Sequence, residues 1–138
     1  MSARPSAGTS DCEYLSVDDV VQIIETFTAA PLRESVRDMG LLIGAVERPT
    51  MRYGGRDVYP NLPAKAAVLM ESLARNNALF DGNKRLAWLA TYVFLAKNGV
   101  DLDPDDDAAY VSVVAVAAGE IDDVGEIATV LASWRAGV

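Results

Sequence analysis

The 138-residue chain contains no histidine, and this absence excludes several common site chemistries. Histidine is the usual general base near neutral pH and the commonest metal ligand in proteins. Mechanisms built on Ser-His, Cys-His or zinc-histidine pairs are therefore excluded. Cys12 is the only cysteine, so neither an internal disulfide nor a cysteine metal site can form. A reducing compartment fits this composition best.

Positive charge and long hydrophobic runs are also scarce. Twelve Lys and Arg residues face twenty Asp and Glu residues, which gives a formal net charge of −8. An acidic surface repels a phosphate backbone, so we expect no direct nucleic-acid partner. No stretch has the roughly 18 apolar residues that a membrane span requires, and the first ten residues lack the apolar region of a secretion signal. We expect a cytoplasmic protein without a membrane partner.

The hydrophobic pattern predicts an all-α fold, because 51% of the residues are apolar and many recur at helical spacing. Helices are predicted over residues 16–30, 37–47, 62–79, 84–97, 103–119 and 123–134. Ser16 is the predicted cap of the first helix, Phe27 lies on its apolar stripe, and Pro31 ends it; Asp103 is the predicted cap of the fifth. Residues 84–97 are apolar on nearly every face, which predicts the central helix of the core. We expect a disordered tail over residues 1–13 and one domain of about six helices over residues 14–138.

Residues 50–60 interrupt the helical pattern with a hairpin signal. A Gly-Gly pair lies between two short segments that can pair as strands. The sequence predicts an exposed flap, and an ordinary solvent-exposed turn is the alternative for each of its residues. The flap residues are Arg52, Tyr53, Gly54, Gly55 and Arg56.

The segment most informative about function is Asn-Asn-Ala-Leu-Phe-Asp-Gly-Asn-Lys-Arg, residues 76–85. It brings a carboxylate, a flexible glycine, an amide and two cations to the start of a predicted helix. Free N–H groups and the helix dipole at such a position favour phosphate, and Lys84 and Arg85 add positive charge. Asp81 is a hard oxygen ligand that suits Mg²⁺ shared with phosphates. The alternative is an ordinary helix start capped by Asp81.

The same segment resembles the Fic-family motif. That motif has a histidine, a hydrophobic residue two positions on, an acid four on, then Gly-Asn, and an arginine eight on. The corresponding residues are Asn77, Leu79, Asp81, Gly82, Asn83 and Arg85. A lysine before the arginine, here Lys84, is similar to the Doc (death on curing) branch of the family. The resemblance runs from about Tyr14 to the C-terminus.

The resemblance implies a Fic fold and an ATP-dependent toxin. Doc toxins move the γ-phosphate of ATP onto a threonine of elongation factor Tu and so block translation, whereas other Fic proteins move AMP. By resemblance, Asp81 would hold Mg²⁺ and Arg85 would neutralise charge that develops during transfer. The backbone of Gly82 and Asn83, together with Lys84, would bind phosphates, and the flap would align the target by adding a strand to its edge.

Asn77 departs from the motif at the catalytic position. The family histidine removes a proton from the attacking hydroxyl, and an asparagine amide has no lone pair basic enough for this. Losing a general base costs on the order of 10²–10⁴ in rate. We therefore predict a chain that binds nucleotide but is inactive or impaired. An engineered histidine-to-asparagine change is the favoured explanation, and a natural inactive member is the alternative.

The resemblance also implies a separate antitoxin protein. Some Fic proteins inhibit themselves through a helix in which Ser or Thr is followed four residues on by Glu and then by Gly or Asn, and this chain has no such run. Two alternatives to the Doc interpretation stay open at this point. One is a Fic-type AMP transferase, and the other is a non-catalytic module that binds a nucleotide or a protein.

Overall fold

A computed structural model describes residues 12–137 of the chain. These residues form seven α-helices, one 3₁₀ turn (Arg48–Thr50) and a two-stranded antiparallel sheet. The helices are α1 (Val17–Glu25), α2 (Leu32–Ser35), α3 (Met39–Glu47), α4 (Leu62–Arg75), α5 (Asn83–Lys97), α6 (Asp106–Ala117) and α7 (Val124–Ser133). The strands are β1 (Arg52–Tyr53) and β2 (Arg56–Asp57). The predicted helical fold with a small hairpin is confirmed.

Most of the predicted tail, residues 1–11, lies outside the described residues. Glu13, also placed in that tail, exchanges two hydrogen bonds with Asn98 at the end of α5, at 2.8 and 2.9 Å. The part of the chain that packs against the helices therefore includes Glu13. Among residues 12–137, no helix combines the length and the apolar character needed to cross a bilayer.

The centre of the core is α4, and the prediction that residues 84–97 form the central helix is wrong. Each of residues 65–74 is buried, and α4 packs against α3, α5, α6 and α7. In contrast, α5 exposes Tyr92 and Ala96. The sequence pattern missed this because Lys65, Glu71 and Ser72 are polar and yet buried, so α4 looks amphipathic in the sequence.

Several helix boundaries differ from the prediction, and α4, for example, ends at Arg75 and not at residue 79. The first helix begins at the predicted cap, Ser16, but ends at Glu25, where the Thr26 hydroxyl donates to the Ile23 carbonyl at 2.6 Å. Pro31 was expected only to stop that helix, and it instead precedes the additional helix α2 as its N-cap. Near the other end of the chain, α6 is capped by Asp105 rather than Asp103.

A partly buried ionic network fixes α4 to its surroundings. Glu71 accepts hydrogen bonds from Arg48 at 2.8 Å and from Arg75 at 3.0 Å. Arg75 also donates to the carbonyls of Val116 at 2.7 Å and Ile121 at 2.8 Å. These two carbonyls lie at and beyond the end of α6, so the C-terminal end of α4 has a fixed position beside α6.

Candidate active site

The motif loop, defined as residues 76–82, connects α4 to α5 and packs against the α2–α3 connection. Leu79 forms an antiparallel bridge with Val36. The Ala78 carbonyl accepts hydrogen bonds from the backbone N–H groups of Arg37 at 2.8 Å and Asp38 at 3.1 Å. Ala78 and Leu79 are both buried. The loop is therefore held by backbone hydrogen bonds along one side and by two buried side chains.

Asn83 closes the motif loop with its side chain. Its amide oxygen accepts from the Leu79 N–H at 2.9 Å, and its amide nitrogen donates to the Leu79 carbonyl at 3.0 Å. These side-chain bonds leave the backbone N–H of Asn83, the group predicted to bind phosphate, without a partner inside the loop. No feature of the sequence predicted this pair of hydrogen bonds between Asn83 and Leu79.

Asn77 has an unusual backbone conformation. Its φ is +54°, and no other non-glycine residue in residues 12–137 has a positive φ. Asparagine and histidine both tolerate this left-handed region better than most residues. The Asn77 carbonyl accepts a hydrogen bond from Nε of Arg37 at 2.8 Å, and the residue is exposed. The catalytic position of the motif is therefore on the surface in a defined conformation.

The N-terminus of α5 carries free backbone donors. Gly82 is the N-cap, and no side chain caps the helix. The Leu86 N–H donates to the Gly82 carbonyl at 2.8 Å, so the N–H groups of residues 83–85 precede the first intrahelical bond. The alternative in which Asp81 caps the helix is contradicted. This end of α5 can accept an anion.

Gly82 is required by its surroundings as well as by its own backbone. Its φ of +92° is disfavoured for any residue with a Cβ. A Cβ at this position would lie 2.8 Å from a ring carbon of Phe27. The Arg85 guanidinium also lies over the Phe27 ring, 5.8 Å from its centre. Phe27 thus holds the turn and one of the motif cations together.

A cleft of about 620 Å³ opens beside this helix end. Four residues singled out in the sequence, Asp81, Gly82, Lys84 and Arg85, all line it. The volume is within the usual range for small-molecule sites. Asn77 and the flap residues are not in its lining. The described structure therefore gathers the candidate phosphate and metal residues other than Asn83 in the lining of one cleft, and it leaves position 77 and the flap outside that lining.

Asp81 is suited to bind a shared Mg²⁺ ion. Its carboxylate is exposed and makes no hydrogen bond or ion pair within residues 12–137. The same part of the chain holds no cluster of three or more acidic, cysteine or histidine residues that could bind a metal by itself. Mg²⁺ commonly takes one or two carboxylates and completes its shell with phosphate and water oxygens. One free carboxylate beside a phosphate site fits that requirement.

The hairpin has the predicted strands and turn. Arg52 pairs with Asp57 and Tyr53 with Arg56 across the two strands. Gly54 and Gly55 have φ values of +60° and +80°, which is the pattern of a type I′ turn. Residues 52–56 are all exposed, and Tyr53 is 85% exposed.

Lys65 of α4 anchors the base of the hairpin. This lysine is only 2% exposed, and its ammonium donates to the Asp57 carboxylate at 2.8 Å and to the Tyr59 carbonyl. It also lies 5.7 Å from the centre of the Tyr14 ring. The flap is therefore tied to the same helix that leads into the motif loop.

Several cleft residues were missed in the sequence. They are Phe27 at the end of α1, Glu34 of α2, and Asp106 and Tyr110 of α6. No local spacing connects them with the motif, because only the tertiary fold brings their elements together. Phe27 was assigned to the apolar stripe of the first helix. That assignment did not predict its contacts with Gly82 and Arg85.

Comparisons with known proteins identify the family of the chain. The model of the Fic/DOC family matches residues 14–95. The curated protein "Toxin Doc" of Mycolicibacterium smegmatis is 50% identical over 95 residues, which cover 69% of this chain and 72% of that protein. The matched family segment includes the flap, α4, the motif loop and nearly all of α5.

Proposed function

Because the chain belongs to the Fic/DOC family, we propose that it is a Doc-type toxin of a toxin–antitoxin system. Its family reaction is the ATP-dependent phosphorylation of a protein hydroxyl. By the same resemblance, the target is a threonine of elongation factor Tu, and its phosphorylation blocks translation in the cytoplasm. Asn77 makes this chain an impaired member.

The observation that carries the proposal is that four motif residues line the same cleft. Asp81, Gly82, Lys84 and Arg85 line it at an uncapped helix N-terminus. Three kinds of phosphate-binding group meet there: free N–H donors, a point charge and a planar guanidinium. Such an arrangement supports a nucleotide with its polyphosphate at the start of α5.

In the family reaction, the target hydroxyl oxygen attacks the γ-phosphorus of ATP. The bond between that phosphorus and the β,γ-bridging oxygen breaks, and ADP leaves. Lys84 and Arg85 stabilise the negative charge on the phosphate oxygens. When bound at Asp81, Mg²⁺ supplies further charge neutralisation. The hydroxyl proton needs an acceptor, and the Asn77 amide cannot take it.

The first test restores the missing base. Asn77→His should label purified elongation factor Tu from γ-labelled ATP and arrest bacterial growth. The parent chain should be about 10²–10⁴-fold slower. Asn77→Gln is the matched control, because it changes the side chain at the same exposed position without adding a base. Thermal unfolding of all three forms checks that the fold is retained.

The position of the label separates the two transferase chemistries. Label transferred from the γ-phosphate supports phosphorylation, whereas label transferred only from the α-phosphate identifies an AMP transferase. The Asn77 amide itself favours the remaining alternative, a binding module. An Asn77→His form that binds ATP, transfers neither label and permits normal growth would establish that alternative instead.

The antitoxin is a separate chain in this proposal. Support comes from the name of the similar toxin and from the absence of a self-inhibitory run in the sequence. Co-expression of the product of a neighbouring gene should relieve the growth arrest caused by the Asn77→His form. An isolated Asn77→His chain that is folded but fully inhibited by its own residues would contradict this part of the proposal.

A further inference from the structure

Arg37 contacts the motif loop twice, through chemically different groups. Its backbone N–H donates to the Ala78 carbonyl at 2.8 Å, as part of the backbone pairing that holds the loop. Its side-chain Nε donates to the Asn77 carbonyl, also at 2.8 Å. The side-chain hydrogen bond therefore binds the backbone of residue 77. The side chain of that residue determines whether the protein has a general base.

Position 77 has to be held, because its backbone is in a sparsely populated region. The φ of +54° lies between two anchored neighbours. Before it, the Asn76 side chain donates to the Leu41 carbonyl at 2.8 Å, and after it the Ala78 carbonyl is doubly bonded. The remaining freedom is the rotation of the peptide unit that follows Asn77. Its carbonyl oxygen is the atom that the guanidinium binds.

The direction of a side chain follows from the orientation of the peptide units around its Cα. A charge-assisted hydrogen bond is stronger than a neutral one, so Arg37 restricts that orientation more than an uncharged donor could. We propose that Arg37 is a positioning residue that fixes the backbone of position 77 and thereby aims the side chain that serves as base. This inference rests on the proposed function.

A purely structural role for the guanidinium is a different hypothesis with a different expectation. The backbone bonds from Arg37 and Asp38 to Ala78 do not depend on the identity of the side chains. The loop therefore stays docked when the guanidinium is removed. Arg37 is exposed, and hence its replacement leaves no buried polar group behind.

The experiment uses the Asn77→His chain as its starting point. Adding Arg37→Met should lower kcat by about 10- to 100-fold, the range expected for a misplaced catalytic group. The KM for ATP should change less than about twofold, because the residue acts on the base and not on the phosphates. Arg33→Met is the matched control. Arg33 is an exposed arginine of α2 without a hydrogen bond or ion pair in residues 12–137, and its loss should leave kcat unchanged.

A conservative replacement tests whether the donor itself matters. Arg37→Lys keeps the positive charge and can still donate to a carbonyl, although without the planar fork of arginine. It should recover part of the kcat that Arg37→Met loses. Equal losses with lysine and methionine, or a loss that appears in KM instead of kcat, would overturn the positioning role.

An NMR measurement gives a readout that does not require catalysis. The chain has no natural histidine, so Asn77→His introduces a single imidazole whose titration can be followed without overlap. Removing the nearby guanidinium charge should raise the pKa of that imidazole, because a cation disfavours the imidazolium. The backbone chemical shifts of residue 77 should also change with Arg37→Met and not with Arg33→Met.

The two readouts separate failure of this inference from failure of the proposed function. If Asn77→His transfers label and Arg37→Met changes neither kcat nor the shifts of residue 77, the positioning role is wrong and the function stands. If Asn77→His transfers nothing, the proposed function fails. In that case the shifts and the titration still decide whether Arg37 controls the conformation at position 77.

Discussion

At the residue scale, the motif loop contains two left-handed positions that differ in their tolerance of substitution. Asn77 is exposed, and its conformation suits both asparagine and histidine. Gly82 faces the Phe27 ring and has no room for a Cβ. The side chain at position 77 can therefore be replaced without altering the loop, whereas packing against Phe27 requires glycine at position 82.

We expect Gly82→Ala to destabilise the protein and to weaken nucleotide binding. The left-handed backbone alone costs an alanine roughly 1–2 kcal/mol, and the contact with Phe27 adds to this. Gly99→Ala is the matched control, since Gly99 has a φ of +82° and nothing within 4 Å of its added Cβ. Urea unfolding and ATP titration calorimetry should show a larger loss of stability for Gly82→Ala, with binding lost only there. Equal unfolding energies would contradict the role of Phe27.

The capping box of α1 predicts a pH-dependent contribution to stability. The hydrogen bond from the Ser16 backbone N–H holds the pKa of Asp19 below its ordinary value of 3.8. A lowered pKa in the folded state stabilises the protein above the unfolded-state pKa, and this contribution is lost as the pH falls through the folded-state pKa. Asp19→Asn should therefore lower the free energy of unfolding at pH 7, and the difference should begin to shrink as the pH falls below about 3.8 and disappear once the pH is below the lower, folded-state pKa. A difference that persists in acid would contradict this assignment.

The motif residues that line the cleft could be picked out in the sequence because they lie close together in the chain. Asp81, Gly82, Lys84 and Arg85 lie within five positions and line one cleft. Their partners could not be predicted. Arg37 lies forty positions before Asn77 in the chain. No periodic pattern in the sequence predicts a hydrogen bond between its side chain and the Asn77 carbonyl.

At the scale of elements, the buried pair of Lys65 and Asp57 connects the flap with α4. Their side chains are 2% and 4% exposed. Lys65→Met removes the buried partner of the Asp57 carboxylate and leaves it with the more exposed Arg52, 3.5 Å away. We expect a loss of up to about 3–5 kcal/mol in the free energy of unfolding. Lys97→Met removes an exposed partner of Asp19, 3.6 Å away, and should cost no more than about 1 kcal/mol. Urea denaturation of both variants measures the difference.

A double variant tests whether the charge of Asp57, without its buried partner, causes that loss. Lys65→Met combined with Asp57→Leu removes both buried charges and should recover much of the stability lost in the single variant. If the double variant is as unstable as Lys65→Met, packing around the lysine stem, and not the charge of the carboxylate, is responsible.

Most helices could be predicted because their apolar spacing and caps are local. The capping box at Ser16, the hairpin at Gly54-Gly55 and the helix end near Asn98 follow from short-range chemistry. The identity of the central helix could not be predicted in this way. Burial of the polar residues of α4 depends on partners such as Arg48 and Asp57 from other elements.

At the scale of the whole molecule, binding at the cleft should be coupled to stability. A ligand that binds only the folded state at a hundred times its Kd adds about 2.7 kcal/mol. For a domain of this size, Mg-ATP at that concentration should raise Tm by roughly 10 °C. Lys84→Met should reduce the shift at the same concentration, and so should removal of Mg²⁺ with a chelator. An unchanged Tm in the parent protein would contradict a nucleotide site.

The set of residues that lines the cleft is determined by the tertiary fold. Its lining combines the motif cations with residues from α1, α2 and α6. Glu34 and Asp106 add negative charge to a site that also contains Lys84 and Arg85. The sequence predicted Asp81, Lys84 and Arg85 but not Glu34 and Asp106, because those two acids come from elements that are distant in the chain.

The exposed, left-handed position 77 has a consequence for inheritance. Asparagine and histidine codons differ in only their first base, and the structure accommodates either residue without repacking. A lineage that carries the asparagine form would keep the fold and the cleft while lacking the base that the proposed reaction needs. One base change in the gene would then supply that base without any change elsewhere in the structure.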